Sequence, residues 1–145
     1  MILYRPIGKK EYDLIKETSF KEFPPRLSWQ PIFYPVLNQK YAEKIAGEWN
    51  TKDENSDFIG IITQFNVKDD YVNRFEKHIV GSSICEELWI PSEELDEFNK
   101  NIIGKIEIIK VFYGEAYNLE IILEYGIGQK MQLEINLLIN VSSTE

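Results

Sequence analysis

The 145-residue sequence holds one cysteine and one histidine. A single thiol, Cys85, excludes an internal disulfide and every multi-cysteine zinc site. Flanked by Glu86 and Glu87, it sits in a poor setting for a thiolate nucleophile. A single imidazole, His78, would have to serve any Ser-His-Asp chemistry alone, and no Gly-x-Ser-x-Gly elbow accompanies it. Basic residues are also scarce: 16 Lys and Arg face 24 Asp and Glu, for a formal net charge of -8. No Lys/Arg stripe interrupts that balance, since Lys9-Lys10 is too short, and nucleic acid is not an expected partner. Long apolar runs are missing too. No segment has the length of a bilayer span, and Arg5 and Lys9 precede any long apolar stretch, so neither membrane insertion nor a signal peptide is expected. The expected location is the cytoplasm, and no metal is expected.

What remains is ample for one core. Hydrophobic residues make up 43% of the chain and aromatics 13%, enough for a single domain over 1–145. Met1 to Arg5 reads as a short buried strand that Pro6-Ile7-Gly8 breaks. Lys9 to Thr18 carries Tyr12 and Ile15 on one face, the pattern of a modest amphipathic helix. Prolines at 24, 25 and 31 forbid helix across Phe20 to Pro31, which reads as an ordered loop pinned by Phe23 and Trp29.

Ile32 to Leu37 reads as a strand that Pro35 ends or bends. Asn38 is a good N-cap, and Tyr41, Ala42, Ile45, Ala46 and Trp49 then fall on one helical face. Asn50 to Asp57 reads as an exposed loop, Phe58 to Val67 as a strand, and Asp69 to Phe75 as a short helix. Lys77 to Val80 and Glu87 to Ile90 are strands about the Gly81-Ser82-Ser83 turn. A further helix follows Pro91, with Leu95 and Phe98 inward. Lys105 to Tyr113, Leu119 to Tyr125 and Met131 to Val141 complete a β-rich C-terminal part. Without repeats or linkers, the fold class is α+β.

Several segments together resemble one small bacterial family that carries the label "ADP-ribosylation/crystallin J1". They are Leu3-Tyr4-Arg5-Pro6-Ile7-Gly8, Phe23-Pro24-Pro25-Arg26-Leu27, Gln30-Pro31-Ile32-Phe33-Tyr34-Pro35-Val36-Leu37-Asn38 and Glu87-Leu88-Trp89-Ile90-Pro91. Tyr41-Ala42, Ile45-Ala46, Glu97-Phe98-Asn99 and Ile103-Gly104 extend the likeness over roughly 2–112, leaving 113–145 as a C-terminal β extension with a hairpin. The chain is too short and β-rich for the helical hydrolases that the label also names. More distantly it is similar to the ADP-ribosyltransferase fold, a split β-core with short helices.

That resemblance implies NAD as a substrate. Arg5, ending the early strand, would hold a dinucleotide phosphate, Tyr34 would lie against the nicotinamide, and Arg26 would line the cleft. Glu87 would be the catalytic carboxylate, bonding the ribose and stabilising charge that develops as the nicotinamide bond breaks. The middle motif is Phe33-Tyr34-Pro35 in place of Ser-Thr-Ser, and Cys85-Glu86-Glu87 lacks the first acid of a Glu-x-Glu pair. Read without the family, Arg5 pairs with Glu11 or another surface acid, Tyr34 is core, Glu87 is a solvated edge residue and Trp89 is packing. Two rival functions follow. One is a non-enzymatic acidic protein, immunity- or antitoxin-like, covering a basic protein partner. The other is an oligomerising domain, a homodimer joined through the strands after Tyr113.

Overall fold

Residues 1–117 are described in the computed structural model. The strand Ile59–Val67 (β3) is the centre of the fold, and its first five residues are all buried. One face of β3 packs on the main core with Leu3, Phe23, Phe65 and Ile108; Ile62 on the other face meets Val36, Ala42 and Ala46. A strand covered on both sides reads as a continuous apolar run, as Ile59-Gly60-Ile61-Ile62 does. Ile2–Ile7 (β1) and Ile102–Tyr113 (β7) flank β3, both antiparallel, in the order β1-β3-β7. The pairing of β3 with β7 shifts register between Ile62 and Thr63 and again between Gln64 and Asn66.

β1 runs through Pro6, which pairs with Ile62, so the strand does not end at Arg5 as the sequence suggested. The reason lies in which edge the proline faces. Tyr4 exchanges two backbone bonds of 2.8 Å with Val36, on the side away from β3. Two residues on, Pro6 turns its missing donor to that same side, so β1 keeps its ladder to β3. The next hydrogen-bonded pair across the Val36 edge would be Pro6 with Tyr34, and it cannot form both bonds. Among the described residues, Tyr4 with Val36 is the one bridge between these strands.

Beyond the bridge lies a second group of strands. Ile32–Phe33 (β2) pairs with Ile90–Pro91 (β6), and Val36 pairs with Glu87 in the same register. Glu86–Leu88 (β5) in turn pairs with Lys77–Ile79 (β4), which sets His78 opposite Glu87. One row therefore crosses the molecule: Gln64, Tyr4, Val36, Glu87, His78.

Short helices cover this sheet. Gln39–Glu48 (α2) begins where the Asn38 side chain accepts from the amides of Lys40 and Tyr41, as its sequence predicts. α2 lies very close to β3: a Cβ built on Gly60 would stand 2.7 Å from the Ala46 Cβ. Lys9–Glu17 (α1), Asp69–Val72 (α3) and Leu95–Lys100 (α4) complete the helices, and α3 stops short of the expected Phe75. The segment 50–57 contains two 3-10 turns, Asn50–Lys52 and Glu54–Ser56, with Ser56 buried.

The main core is rich in phenylalanine: Phe23 stands 5.1 Å from Phe33 and 4.8 Å from Phe65, while Phe98 stands 5.3 Å from Phe33. Phe23 does pin the proline-rich loop, helped by reciprocal bonds between its backbone and the Asn99 amide. Trp29 does not; it is 73% exposed. Trp49 is also exposed, because α2 ends at Glu48 and the chain turns into the 3-10 segment before the ring can reach the sheet. The domain is α+β, and no helix among the described residues is long and apolar enough to cross a membrane. The expected strands Leu119 to Tyr125 and Met131 to Val141, and the dimer contact assigned to them, lie outside the described residues.

Candidate functional site

Glu87 is half-buried on β5, facing the same side of the sheet as Tyr4 and Val36. Both its oxygens are engaged by neutral donors. The Trp89 indole donates to Oε1 at 2.8 Å, and the Tyr41 hydroxyl donates to Oε2 at 3.1 Å. Trp89 reaches Glu87 because residues two apart on a strand share a face; Tyr41 reaches it from the first turn of α2. Burial and the Glu87 charge, with the hydrogen bond between them, push the Tyr41 hydroxyl up to about 12.

Two further rings pack on Trp89. In the register that joins Val36 to Glu87, Tyr34 falls opposite Trp89, and their rings meet edge to face, 6.2 Å apart with 86° between planes. His78 stacks flat on Trp89, 3.8 Å away at 10°. Tyr34 is 39% and Trp89 43% exposed, so neither is the core residue that its sequence setting suggested. Each sits where β2 and β6 run to the sheet surface, on the face opposite Phe33 and Ile90, which fill the core in their place.

The basic residues form a second cluster beside the first. Arg5 lies in the row of Leu3 and Ile7, which faces the main core, and so on the opposite side of the sheet from Glu87. Its guanidinium is held by Glu11 through two bonds, 2.7 Å and 2.9 Å, and lies 4.6 Å above the Phe33 ring. With Nε and Nη2 so occupied, Arg5 makes the kind of acid pairing set against its ligand role in the sequence, and Glu11 is the acid. Arg26 donates from Nε to the Ile32 carbonyl at 3.1 Å. Burial lowers its pKa, and Arg5 lowers it further, while Glu11 and Tyr34 act the other way. Arg26 thus has Arg5, Glu11 and Tyr34 for electrostatic neighbours. Two guanidinium groups and one carboxylate leave this cluster with an excess of positive charge.

Of the four residues singled out in the sequence, Arg26 has Arg5 and Tyr34 among its electrostatic neighbours, and Trp89 joins Tyr34 to Glu87. Arg5 and Glu87 do not meet. Sequence reasoning missed Tyr41 and His78 as members of the Glu87 cluster and took Trp89 for packing. The alternation of Glu87 with Trp89 was the available signal. Tyr41 lies 46 residues from Glu87, and only the bridge at Val36 brings them together. No group of three His, Cys, Asp or Glu side chains suited to a metal ion occurs among the described residues. No family model, no curated protein and no solved structure matches the chain.

Proposed function

We propose that the protein binds NAD and is ADP-ribosyltransferase-like, as its resemblance to that fold implies. The observation that carries the reading is the run of contacts from Tyr34 through Trp89 to Glu87, with Arg26, an electrostatic neighbour of Tyr34, anchored on the Ile32 carbonyl, alongside the single bridge between Tyr4 and Val36. An excess positive charge at one end suits a pyrophosphate. Aromatic faces and a carboxylate at the other suit a positively charged nicotinamide and the charge that grows on the ribose as the bond breaks. In this reading Arg26, and not Arg5, meets the phosphate, and Arg5 orients Glu11 and supports the Phe33 side of the cleft. Isothermal titration with NAD is the test. Saturable binding that Arg26→Ala weakens by about tenfold is expected; no heat at millimolar NAD would remove the reading.

The non-enzymatic alternative has an observation of its own. Leu27, Trp29 and Trp49 are large apolar side chains left exposed on an acidic protein. A surface of that kind suits a basic protein partner, and a stoichiometric partner whose capture is unchanged by Glu87→Ala would favour it.

A further inference from the structure

On the sheet face that carries Ile62, α2 covers one end, with Tyr4 and Ile109 packed beside it, and leaves the other end bare. There the register lays out a small grid: Gln64 lies between Tyr4 and Glu107, and Asn66 between Ile2 and Ile103. Paired residues share a face, so two carboxamides form the floor. An isoleucine stands on either side of Asn66, both of them exposed, and a carboxylate stands beside Gln64.

The second register shift between β3 and β7 deepens this area. β3 has Phe65 alone where β7 has Gly104, Lys105 and Ile106. Gly104, with φ of 77°, takes a left-handed conformation that costs glycine little. The Ile106 amide donates to the Phe20 carbonyl and its side chain is buried in the main core, so the inserted residues are drawn toward the opposite face. The result is a cavity of about 150 Å³ bounded by Ile2, Gln64, Asn66, Ile103, Lys105 and Glu107.

Its polar groups are open to a ligand. Among the described residues, the side chains of Gln64, Lys105 and Glu107 make no hydrogen bond or ion pair. Asn66 Oδ1 accepts from the Met1 amino group, and its Nδ2 remains a donor. One ammonium and one carboxylate on the same small cavity disfavour a ligand of single charge, which would meet like charge beside its partner. A lone carboxylate is also too little for a metal ion. A free α-amino acid uses every group. Its carboxylate faces Lys105, its ammonium faces Glu107 and the Gln64 amide oxygen, and an aliphatic side chain fits between Ile2 and Ile103, about 9–10 Å apart across Asn66.

We propose that this cavity binds a free amino acid with an aliphatic side chain. The site is separate from the dinucleotide reading: Gln64 stands three strand spacings from Glu87 in the row that crosses the molecule, about 14 Å.

The test is titration of the isotope-labelled protein with leucine, followed by the nuclear magnetic resonance signals of the Gln64 side-chain amide and of Ile103. Three relatives of leucine each lack one feature: leucinamide the carboxylate, isocaproate the ammonium, and glycine the aliphatic chain. The expected result is a saturable shift at both residues with leucine, about tenfold tighter than with any of the three. Lys105 and Glu107 are exposed, so their substitution leaves the fold intact. Lys105→Gln should erase the preference for leucine over leucinamide, and Glu107→Gln the preference over isocaproate. No saturable shift at millimolar leucine, equal affinity for leucine and any of its three relatives, or preferences unchanged in both variants would each overturn the site. Titration of the same sample with NAD reads the Trp89 indole signal, so failure at one site is distinguished from failure at the other.

Discussion

The Tyr41 hydroxyl, in the first turn of α2, donates to Glu87 on β5 across 46 residues of sequence. The bond ties a helix packed on β1 and β3 to the further strand β5, and it links the acidity of the Tyr41 hydroxyl to the Glu87 charge. A hydrogen bond to a charged acceptor contributes about 1.5–3 kcal/mol net when its geometry is good. Tyr41→Phe and Glu87→Gln should each reduce stability in urea, and the double variant should lose less than their sum. Strict additivity would show that the contact carries no energy.

The same bond has a signature at high pH. Tyr41 titrates higher in the folded protein, at about 12, than the ordinary 10.0 of an unfolded chain. A raised folded-state value means that its contribution to stability is whole below pH 10 and disappears as pH rises through 12. The difference between wild type and Tyr41→Phe in the ultraviolet phenolate titration isolates this group. In a Glu87→Gln background the midpoint should move down toward 10, because charge and hydrogen bond are removed while burial stays.

Arg5 and Glu11 form a pair whose side chains are 12% and 21% exposed. Breaking it from one side leaves a charge with little water around it, a loss of about 3 kcal/mol. Glu11→Ala should therefore lower the urea midpoint markedly. Replacing both residues by apolar ones of similar size should cost less than either single change. A single variant as stable as wild type would show that the pair is solvated in solution.

Gly60→Ala should destabilise the domain by about 1–3 kcal/mol, the usual range for overpacking. The new Cβ would meet the Ala46 Cβ at 2.7 Å and its carbonyl oxygen at 2.8 Å, and helix backbone cannot give way as a flexible side chain can. Because α2 must lift to make room, the Tyr41 bond should weaken as well. Thermal unfolding followed by circular dichroism measures the first effect and the phenolate titration the second.

Ser19 and Phe20 both occupy the left-handed region, with φ of 61° and 62°. That conformation costs a residue with a side chain roughly 1–2 kcal/mol, and glycine much less. Ser19→Gly should accordingly raise stability by about 0.5 kcal/mol after its own entropy loss. The backbone bond from the Ile106 amide to the Phe20 carbonyl, 2.7 Å long, holds this turn in place and should survive the change.

Much of the fold was legible because local chemistry wrote it. Asn38 announced α2, the pattern over 58–67 announced β3, and Leu95 with Phe98 marked the buried face of α4. Errors arose where a residue's role depended on a distant partner. Pro6 looks like a strand breaker until one knows which edge it faces, and Trp49 looks like a core residue until one knows where its helix stops. The candidate site was legible only in part. Arg5 and Glu11 are close in sequence, so their pairing could be weighed from the residues alone. Glu87 could be flagged with Trp89, two residues on in the same strand run, but Tyr41 and Tyr34 could not, since they come near it through long-range pairings that no local pattern encodes.

Pro6 also determines how the two halves of the sheet are coupled. Past Tyr4 and Val36 no further amide is on offer at the proline, so this seam cannot zip shut however the chain fluctuates. Aromatic interlocking of Phe23, Phe33 and Phe65, rather than a hydrogen-bonded ladder, keeps the halves aligned. A shift along this line would need rings to move past one another and would break the Tyr41–Glu87 bond that ties α2, packed on β1 and β3, to β5.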